Sequence, residues 1–334
     1  MSMRRLSSMP ANAPLIFIII LNWNGKDDTL ACLASLQSVF YAPFRIVVVD
    51  NGSSDGSIDA IESAYPAVAL LKNQENLGFA EGNNIGAEFA LKEGADWIFL
   101  LNNDTVVEPG ILSAFSAHFQ THPNSSLSGA VPFLFDQKSL TLDHLGGRWN
   151  AKKAQFDLIG KGAPFHEELF SRLPELDYAC GCSLMIRRDV VEKIGLFDAR
   201  FFLLWEEADF CLRAKRAGFL LSICKEALLR HKVSASFVGG KPQSRYYWWR
   251  NRLLFIELNV TPGPRVALYI KVLLPELVRL YKLLLLKNLH VFLSRLVRPG
   301  CDQAARLRKL QQIRASLKGI RDYFLRRFGK AGMC

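Results

Sequence analysis

The chain has 334 residues, half of them hydrophobic, which is enough for one large domain with a substantial core and an appended region. Its net charge of +11 is unevenly distributed, because residues 241–334 contain 20 Lys and Arg against 4 Asp and Glu. The seven cysteines are odd in number and scattered, which excludes a disulfide framework, and no cysteine spacing matches a zinc site. We therefore expect a protein of a reducing, cytoplasmic compartment whose basic C-terminal part meets an anionic partner.

The N-terminal segment contains Arg4 and Arg5 ahead of an apolar run at 15–21, an order also found in signal peptides. Residues 9–14 separate the two features, and the run ends in polar residues without a small-residue cleavage site. We predict an N-terminal arm over residues 1–14, not a cleaved signal.

Short apolar runs alternate with helical patterns through the first 120 residues. The predicted strands cover 15–21, 45–49, 68–71 and 97–101, and the predicted helices cover 27–38, 57–64, 79–93 and 108–121. The apolar runs are continuous, as in strands of a parallel sheet that is covered on both faces. This order predicts an α/β fold, a Rossmann-like, doubly wound and mostly parallel sheet.

Polar segments follow each of these four strands. They are Asn22-Trp23-Asn24, a Ser- and Gly-rich stretch that begins at Asp50, the segment Asn76-Leu77-Gly78, and Asn102-Asn103-Asp104. Ligands of such sheets bind outside the carboxyl ends of the strands. The pattern therefore predicts a binding site made by these four segments.

A second acidic cluster follows an aromatic and apolar run at 201–205. Glu206, Glu207 and Asp209 open an amphipathic helix there, and an unpaired carboxylate is costly to bury. Two acidic clusters at the ends of buried segments indicate a metal-assisted transfer reaction. For Asp209 we expect an ion pair with Arg213 one helical turn later.

The sequence pattern is less regular in the middle of the chain. Residues 125–180 predict loops and short strands, followed by strands at 183–186 and 219–223, the latter leading on to His231. Beyond 242 the pattern is helical. Residues 266–286 are very apolar but contain four charged residues, so we predict a basic amphipathic helix lying on an anionic membrane surface, not a spanning helix.

Eight motifs together resemble the inverting glycosyltransferases of family 2, which have the GT-A fold, and within them the rhamnosyltransferase-like branch of cell-surface polysaccharide synthesis. The motifs are Ile20-Leu21-Asn22-Trp23-Asn24-Gly25, Val49-Asp50-Asn51-Gly52-Ser53-Ser54-Asp55-Gly56, Asn76-Leu77-Gly78-Phe79-Ala80-Glu81-Gly82-Asn83-Asn84, Leu101-Asn102-Asn103-Asp104, Gly195-Leu196-Phe197-Asp198, Trp205-Glu206-Glu207-Ala208-Asp209, His231, and Tyr247-Trp248-Trp249-Arg250-Asn251. The resemblance covers about residues 15–255. It implies a catalytic domain over 15–255 and a basic, helical C-terminal region over 256–334.

The resemblance also implies roles for single residues. Glu207 is the expected general base, although the family has a Glu-Asp pair at these positions, and Glu206 is expected to orient the acceptor or to pair with a cation. Asp104 and His231 are the expected ligands of Mg²⁺ or Mn²⁺, although Asn102 replaces the first Asp of the family's metal motif. The expected donor-binding residues are Asn22, Asn24, Asp50, Asn76, Gly78, Asn84, Asn102, Asn103, Arg250 and Asn251. For the aromatic segment that contains Arg250, a membrane-interface belt is an equal alternative.

The resulting expectation is a metal-dependent inverting enzyme that moves L-rhamnose from dTDP-L-rhamnose onto a lipid-linked glycan, at the cytoplasmic face of the inner membrane. A UDP-sugar donor (hexose, galactofuranose or N-acetylhexosamine) and a non-catalytic binding subunit are the alternatives. We expect no nucleic-acid partner, because the basic residues are interleaved with Leu, Val and Phe and no nucleic-acid motif is present.

Overall fold

The computed structural model describes residues 13–41, 43–135, 140–233, 241–297 and 303–332. Most of the predicted N-terminal arm, residues 1–12, lies outside the described residues.

Within the described residues, eleven strands form two sheets. In chain order they are β1 (Ile16–Asn22), β2 (Phe44–Asp50), β3 (Ala69–Lys72), β4 (Trp97–Asn102), β5 (Thr105–Val107), β6 (Ser125–Leu134), β7 (Gly146–Asn150), β8 (Gln155–Ile159), β9 (Tyr178–Ala179), β10 (Ser183–Arg187) and β11 (Leu220–His231). The larger sheet has the order β3-β2-β1-β4-β10-β6-β11-β5, and the smaller has the order β8-β7-β9.

The helices flank these sheets and follow them. In chain order they are α1 (Lys26–Leu36), α2 (Ser57–Ala64), α3 (Gly78–Lys92), α4 (Ile111–Thr121), α5 (Glu168–Ser171), α6 (Arg188–Ile194), α7 (Glu206–Arg216), α8 (Pro242–Asn259), α9 (Pro262–Leu268), α10 (Leu274–Val297) and α11 (Gln303–Phe324). A short 3₁₀ turn covers Ala199–Phe201, and a π-helical turn, Tyr269–Leu273, joins α9 to α10.

The four N-terminal strands pair in parallel, as predicted, and β6 pairs in parallel with β11. The strand β10 is antiparallel to both β4 and β6, and β5 is antiparallel to β11, so the sheet is mixed. The expected α/β architecture is confirmed. The ten-residue strand β6 lies where the sequence predicted only loops and short strands, because Ser and Gly residues break its apolar pattern.

Register places the polar strand ends side by side. Asn22 at the end of β1 is opposite Asp50 of β2, and Leu21 is opposite Asn102 of β4. The backbone N–H of Asn102 donates to the carbonyl of Cys182, so the turn before β10 lies at the same edge. Behind this edge the apolar side chains of β1 are almost completely buried on both faces of the sheet.

The C-terminal helices pack onto α8. The hydroxyl of Tyr246 donates to Asp322 Oδ2 (3.0 Å), and the hydroxyl of Tyr323 donates to Glu257 Oε2 (2.8 Å). The sequence-derived boundary at residue 255 falls inside α8. None of the helices in the part of the chain that the structure describes combines the length and apolar character needed to cross a bilayer.

Candidate active site

Asp50 and Asn22 form the centre of the first polar cluster. Asp50 is fully buried, and its two carboxylate oxygens accept hydrogen bonds from Asn22 Nδ2 (2.7 Å) and from the backbone N–H of Ser53 (2.8 Å). Asn24 has a positive φ of 51°, and its Oδ1 accepts from the N–H of Ser54 (2.8 Å). The loops after β1 and β2 are therefore joined to each other by the residues predicted to bind the donor.

Asn76, Gly78 and Asn84 have their polar groups engaged within the protein. Asn76 Oδ1 accepts from the N–H of Gly78 (2.8 Å), and Asn84 exchanges two hydrogen bonds with the backbone of Phe197 (2.9 and 3.0 Å). Gly78 has a φ of 88°, and a Cβ there would overlap the backbone and ring of Phe202. These three residues hold the start of α3 against the segment 197–202.

The segment after β4 contains the predicted metal ligand. Asn102 is half-buried and its backbone carbonyl accepts from Thr105, whereas Asn103 Nδ2 donates to Thr29 Oγ1 (3.0 Å). Asp104 is buried, and its backbone carbonyl accepts from the N–H of Lys232, which brings the end of β11 alongside it.

Asp104 and His231, the two predicted metal ligands, are neighbours. His231 Nε2 lies 3.2 Å from Asp104 Oδ1, and His231 Nδ1 lies 2.8 Å from Asp143 Oδ2. Apart from this neighbour, Asp104 Oδ1 has no hydrogen-bond partner among the described residues. Burial disfavours a charged imidazole, but the two carboxylates outweigh it and raise the pKa of His231 to about 10.

This donor set fits a divalent metal. A buried carboxylate oxygen with no other partner among the described residues faces an imidazole nitrogen. Asp143 holds the other ring nitrogen, as carboxylates beside metal-bound histidines commonly do. Carboxylate oxygens with an imidazole suit Mg²⁺ or Mn²⁺.

Glu206 and Glu207 begin α7, where the helix N-terminus favours the anionic form. Burial nevertheless raises the pKa of Glu207 to about 7, and burial together with the charge of Glu207 raises the pKa of Glu206 well above its usual range. Burial therefore has a larger effect on the pKa of Glu207 than its position at the helix N-terminus. Asp209 pairs with Arg213 (2.8 Å), as predicted.

The backbone that leads into α7 is strained. Phe202, Leu204 and Trp205 have positive φ angles of 63°, 75° and 77°, which non-glycine residues rarely adopt. We call residues 200–205 the glutamate loop, because it ends at the two glutamates.

Arg250 and Asn251 hold the glutamate loop. Both are fully buried on α8. Arg250 Nη2 donates to the carbonyls of Arg200 (3.0 Å) and Phe201 (2.8 Å). Asn251 Nδ2 lies 2.7–2.8 Å from the carbonyl oxygens of residues 201, 203 and 204. The structure thus places these two residues behind the loop, not in the donor cleft where sequence reasoning put them.

Sequence reasoning missed two further residues, Asp143 and His144, and gave Cys180 no role. They follow Leu142 in a segment without regular pattern, and their partners are distant in sequence. Asp143 touches His231, and Cys180 Sγ lies 3.5 Å from His144 Nε2. The sequence signal for Asp143 and His144 is an adjacent Asp-His pair that follows the apolar residue Leu142.

Comparison with known families decides the class. The family model described as "Glycosyl transferase family 2" matches residues 17–195, more than half of the chain. The chain belongs to this family. The match covers the strand ends that carry Asp50 and Asp104, but it ends before Glu206, Glu207 and His231.

Three curated relatives share about a quarter of their aligned residues with this chain. The N-acetylglucosaminyl-diphospho-decaprenol L-rhamnosyltransferase of Mycobacterium tuberculosis is 27% identical over 258 residues, covering 65% of this chain and 81% of the relative. The dTDP-rhamnosyl transferase RfbF of Shigella flexneri is 24% identical, covering 74% and 81%. The galactofuranosyltransferase GlfT1 of M. tuberculosis is 23% identical, covering 71% and 80%.

Solved structures show the same fold at low sequence identity. The mannosyltransferase PcManGT from Pyrobaculum calidifontis, in complex with GDP-Man and Mn²⁺, superposes with a TM-score of 0.53 at 13% identity, over 94% of this chain and 88% of that one. GalNAc-T7 with UDP, GalNAc and Mn²⁺ gives 0.54 at 14% identity, over 73% and 51%. The fold is that of GT-A glycosyltransferases.

The hold on the glutamate loop gives a first prediction. Asn251→Asp replaces the amide donor by a buried carboxylate facing three carbonyl oxygens, so we expect a loss of stability of about 3 kcal/mol and a lower kcat for glycosyl transfer. Thermal unfolding and transfer kinetics measure both effects. Asn288→Asp is the control, since Asn288 Oδ1 accepts a hydrogen bond from Arg314 that a carboxylate can also accept, so stability and kcat should be unaffected. Equal behaviour of the two variants would contradict this role.

Proposed function

We propose that this protein is a metal-dependent, inverting glycosyltransferase that uses a nucleotide-sugar donor. One observation carries the proposal: Asp104, His231 and Asp143 form a buried polar group that adjoins Glu207. Asp143 precedes His144, which contacts Cys180 (3.5 Å), and a Cβ on the next residue, Gly181, would lie 3.2 Å from Glu207 Cγ. A metal-ligand pair and a carboxylate base therefore belong to one continuous cluster.

Asp104 and His231 are the residues that would hold Mg²⁺ or Mn²⁺. When bound there, the metal would supply positive charge that offsets the negative charge of the donor's diphosphate. The two superposed structures contain Mn²⁺ together with GDP-Man or UDP, which supports this assignment. Asp143 fixes the orientation of the His231 ring through Nδ1, so that Nε2 points to Asp104.

Glu207 acts as the general base. With a pKa of about 7 it is partly ionised at neutral pH, yet basic enough to take the proton of an acceptor hydroxyl. The hydroxyl oxygen then bonds to the anomeric carbon from the face opposite the departing nucleoside diphosphate, which inverts that centre. Glu206 stays protonated because it is buried beside Glu207, and it orients the acceptor.

The loops organised by Asp50, Asn22 and Asn24 hold the nucleotide. We infer dTDP-L-rhamnose as donor and a lipid-linked glycan of the cell surface as acceptor, on the strength of the two rhamnosyltransferase relatives. A UDP-sugar is the second candidate, because the galactofuranosyltransferase GlfT1 is similar to the chain to nearly the same degree.

Nucleotide binding distinguishes these candidates. With dTDP and Mn²⁺ at about 100 times Kd, binding should stabilise the fold by about 3 kcal/mol and raise Tm by several degrees. UDP, GDP and CDP should give smaller shifts. Asp104→Asn should lose the metal-dependent part of the shift, since one ligand is gone. A larger shift with UDP would favour the UDP-sugar donor, and no shift with any nucleotide would favour a non-catalytic subunit.

Removing the base gives a third prediction. Glu207→Gln should lower kcat by about 100- to 10,000-fold while the nucleotide-induced Tm shift persists. Because the base works only when deprotonated, wild-type kcat/KM should fall as pH drops below about 7 and level off above it. The assay is incorporation of labelled rhamnose from dTDP-L-rhamnose into a lipid extract. An active Glu207→Gln enzyme, or a flat pH profile between 5.5 and 7, would rule out this role.

We also propose that the catalytic domain (15–255) is held by the basic C-terminal region (256–334) on the cytoplasmic face of the inner membrane. A stripe of exposed large apolar side chains runs along α9, the π-helical turn and α10 at intervals of three or four residues. Its members are Val266, Ile270, Leu274, Val278, Tyr281 and Leu285, each 45–69% exposed. We call it the apolar stripe.

Cationic side chains accompany the apolar stripe. Lys271, Arg279 and Lys282 are exposed on the same helical segment. A cavity of about 240 Å³ between α8, α10 and α11 is lined by Arg245, Arg279 and Lys309 together with Trp248 and Trp249, among others. An apolar face flanked by cations suits the interface of an anionic bilayer, and each Lys or Arg near the surface adds about 1 kcal/mol.

Vesicle binding checks this surface. Ile270→Ser with Leu274→Ser should lower the affinity for vesicles of phosphatidylglycerol and phosphatidylethanolamine at least tenfold, because two exposed apolar contacts with lipid are lost. Phe40→Ser with Leu220→Ser is the matched control, since both residues are equally exposed but lie elsewhere. Equal affinities of the two double variants, or equal binding to uncharged vesicles, would argue against the membrane surface.

A further inference from the structure

A second group of potential metal ligands lies beside the site described above. One ligand atom from each of Asp143, His144 and Cys180 lies within 4.8 Å of the other two. Cys180 Sγ is 3.5 Å from His144 Nε2 and 3.4 Å from Cys182 Sγ. Cys180 and Asp143 are buried, and the proposed mechanism uses neither His144 nor the two thiols.

We propose that Asp143, His144 and Cys180 form a binding site for a thiophilic divalent cation such as Zn²⁺, separate from the Asp104–His231 pair. Thiolate, imidazole and carboxylate are the ligands that Zn²⁺ takes in proteins, whereas Mg²⁺ avoids sulfur. Zn–S and Zn–N bonds in a tetrahedral site leave the sulfur and nitrogen atoms about 3.6 Å apart, close to the distance between Cys180 and His144. Cys182 lies next to Cys180 as a candidate fourth ligand.

The chemistry of Cys180 differs from that of other buried cysteines in the described part of the chain. An imidazole nitrogen and a second thiol both lie within 3.5 Å of Cys180 Sγ, and such contacts stabilise a thiolate. Burial instead raises the pKa of Cys32 and of Cys211 to about 12 and that of Cys224 to about 11, so these thiols act as small hydrophobic side chains. Cys180 is thus suited to bind a cation as a thiolate.

The site adjoins the transfer machinery at two points. Asp143 also contacts His231, and Gly181, between the two cysteines, lies against Glu207. A cation on Asp143 therefore competes with His231 for that carboxylate and shifts the turn beside the base. If the proposed function holds, Zn²⁺ at this site lowers the rate of glycosyl transfer.

Cobalt binding tests the site without reference to activity. The full chain with Cys301→Ser and Cys334→Ser, which removes two thiols outside the described residues, is titrated with Co²⁺. We expect an equimolar thiolate-to-cobalt charge-transfer band in the near ultraviolet, displaced by Zn²⁺. Cys180→Ser and His144→Ala should lose the band, and Cys224→Ser should keep it.

Two further measurements distinguish cation binding at this site from binding at the Asp104–His231 pair and from the effects of a misfolded variant. Asp104→Asn should keep the cobalt band, because its carboxylate is not a ligand here. In the wild-type chain, Zn²⁺ should slow alkylation of Cys180, which is measured by peptide mass spectrometry. This measurement needs no substitution and therefore does not depend on whether a variant folds. Absence of the band, its persistence in folded Cys180→Ser, its loss in Asp104→Asn, or unchanged alkylation would overturn the proposal. A failure of nucleotide binding alone would leave it standing.

Discussion

The arrangement of the site depends on the buried hydrogen bonds from Arg250 and Asn251 to the carbonyls of the glutamate loop. Three non-glycine residues with positive φ cost about 1–3 kcal/mol each, and such a loop persists only where surrounding contacts determine it. A buried guanidinium and a buried amide supply those contacts, and each would be costly to leave unpaired. The position of Glu207 is therefore set from α8, a helix far along the chain.

The same helix connects the site to the C-terminal region. Arg250 also donates to the carbonyl of Gly329, beyond α11, and two residues later the fully buried Arg252 pairs with Glu276 on α10 (2.6 Å). The helix that carries most of the apolar stripe is thus anchored to the helix that holds the glutamate loop. The C-terminal region is part of the support of the site as well as the proposed membrane contact.

The sheet and its polar edge could be predicted from sequence because both follow from local patterns, namely continuous apolar runs that end in Asn and Asp. The position of Arg250 and Asn251 could not be predicted, because the local sequence does not distinguish an arginine that binds phosphate from one that binds internal carbonyl groups. Asp143 and His144 were missed for a similar reason: the partner of Asp143, His231, is 88 residues away, and that of His144, Cys180, is 36 residues away. The pKa of Glu207 depends on burial, which the position at a helix N-terminus does not reveal.

That burial suits Glu207 to the proposed role of base and also makes its ionised form costly. An exposed glutamate would be almost fully ionised at neutral pH but too weak a base, whereas a pKa near 7 matches the proton transfer to the working pH. Since the folded-state pKa of both glutamates is raised, their contribution to stability is present at low pH and is lost as pH rises through the folded-state values. In the proposed mechanism, the protein therefore becomes active over the pH range in which ionisation of Glu207 begins to oppose folding. The hydrogen bonds of Arg250 and Asn251 do not titrate in that range. They keep the glutamate loop in place as ionisation of Glu207 increasingly destabilises the fold.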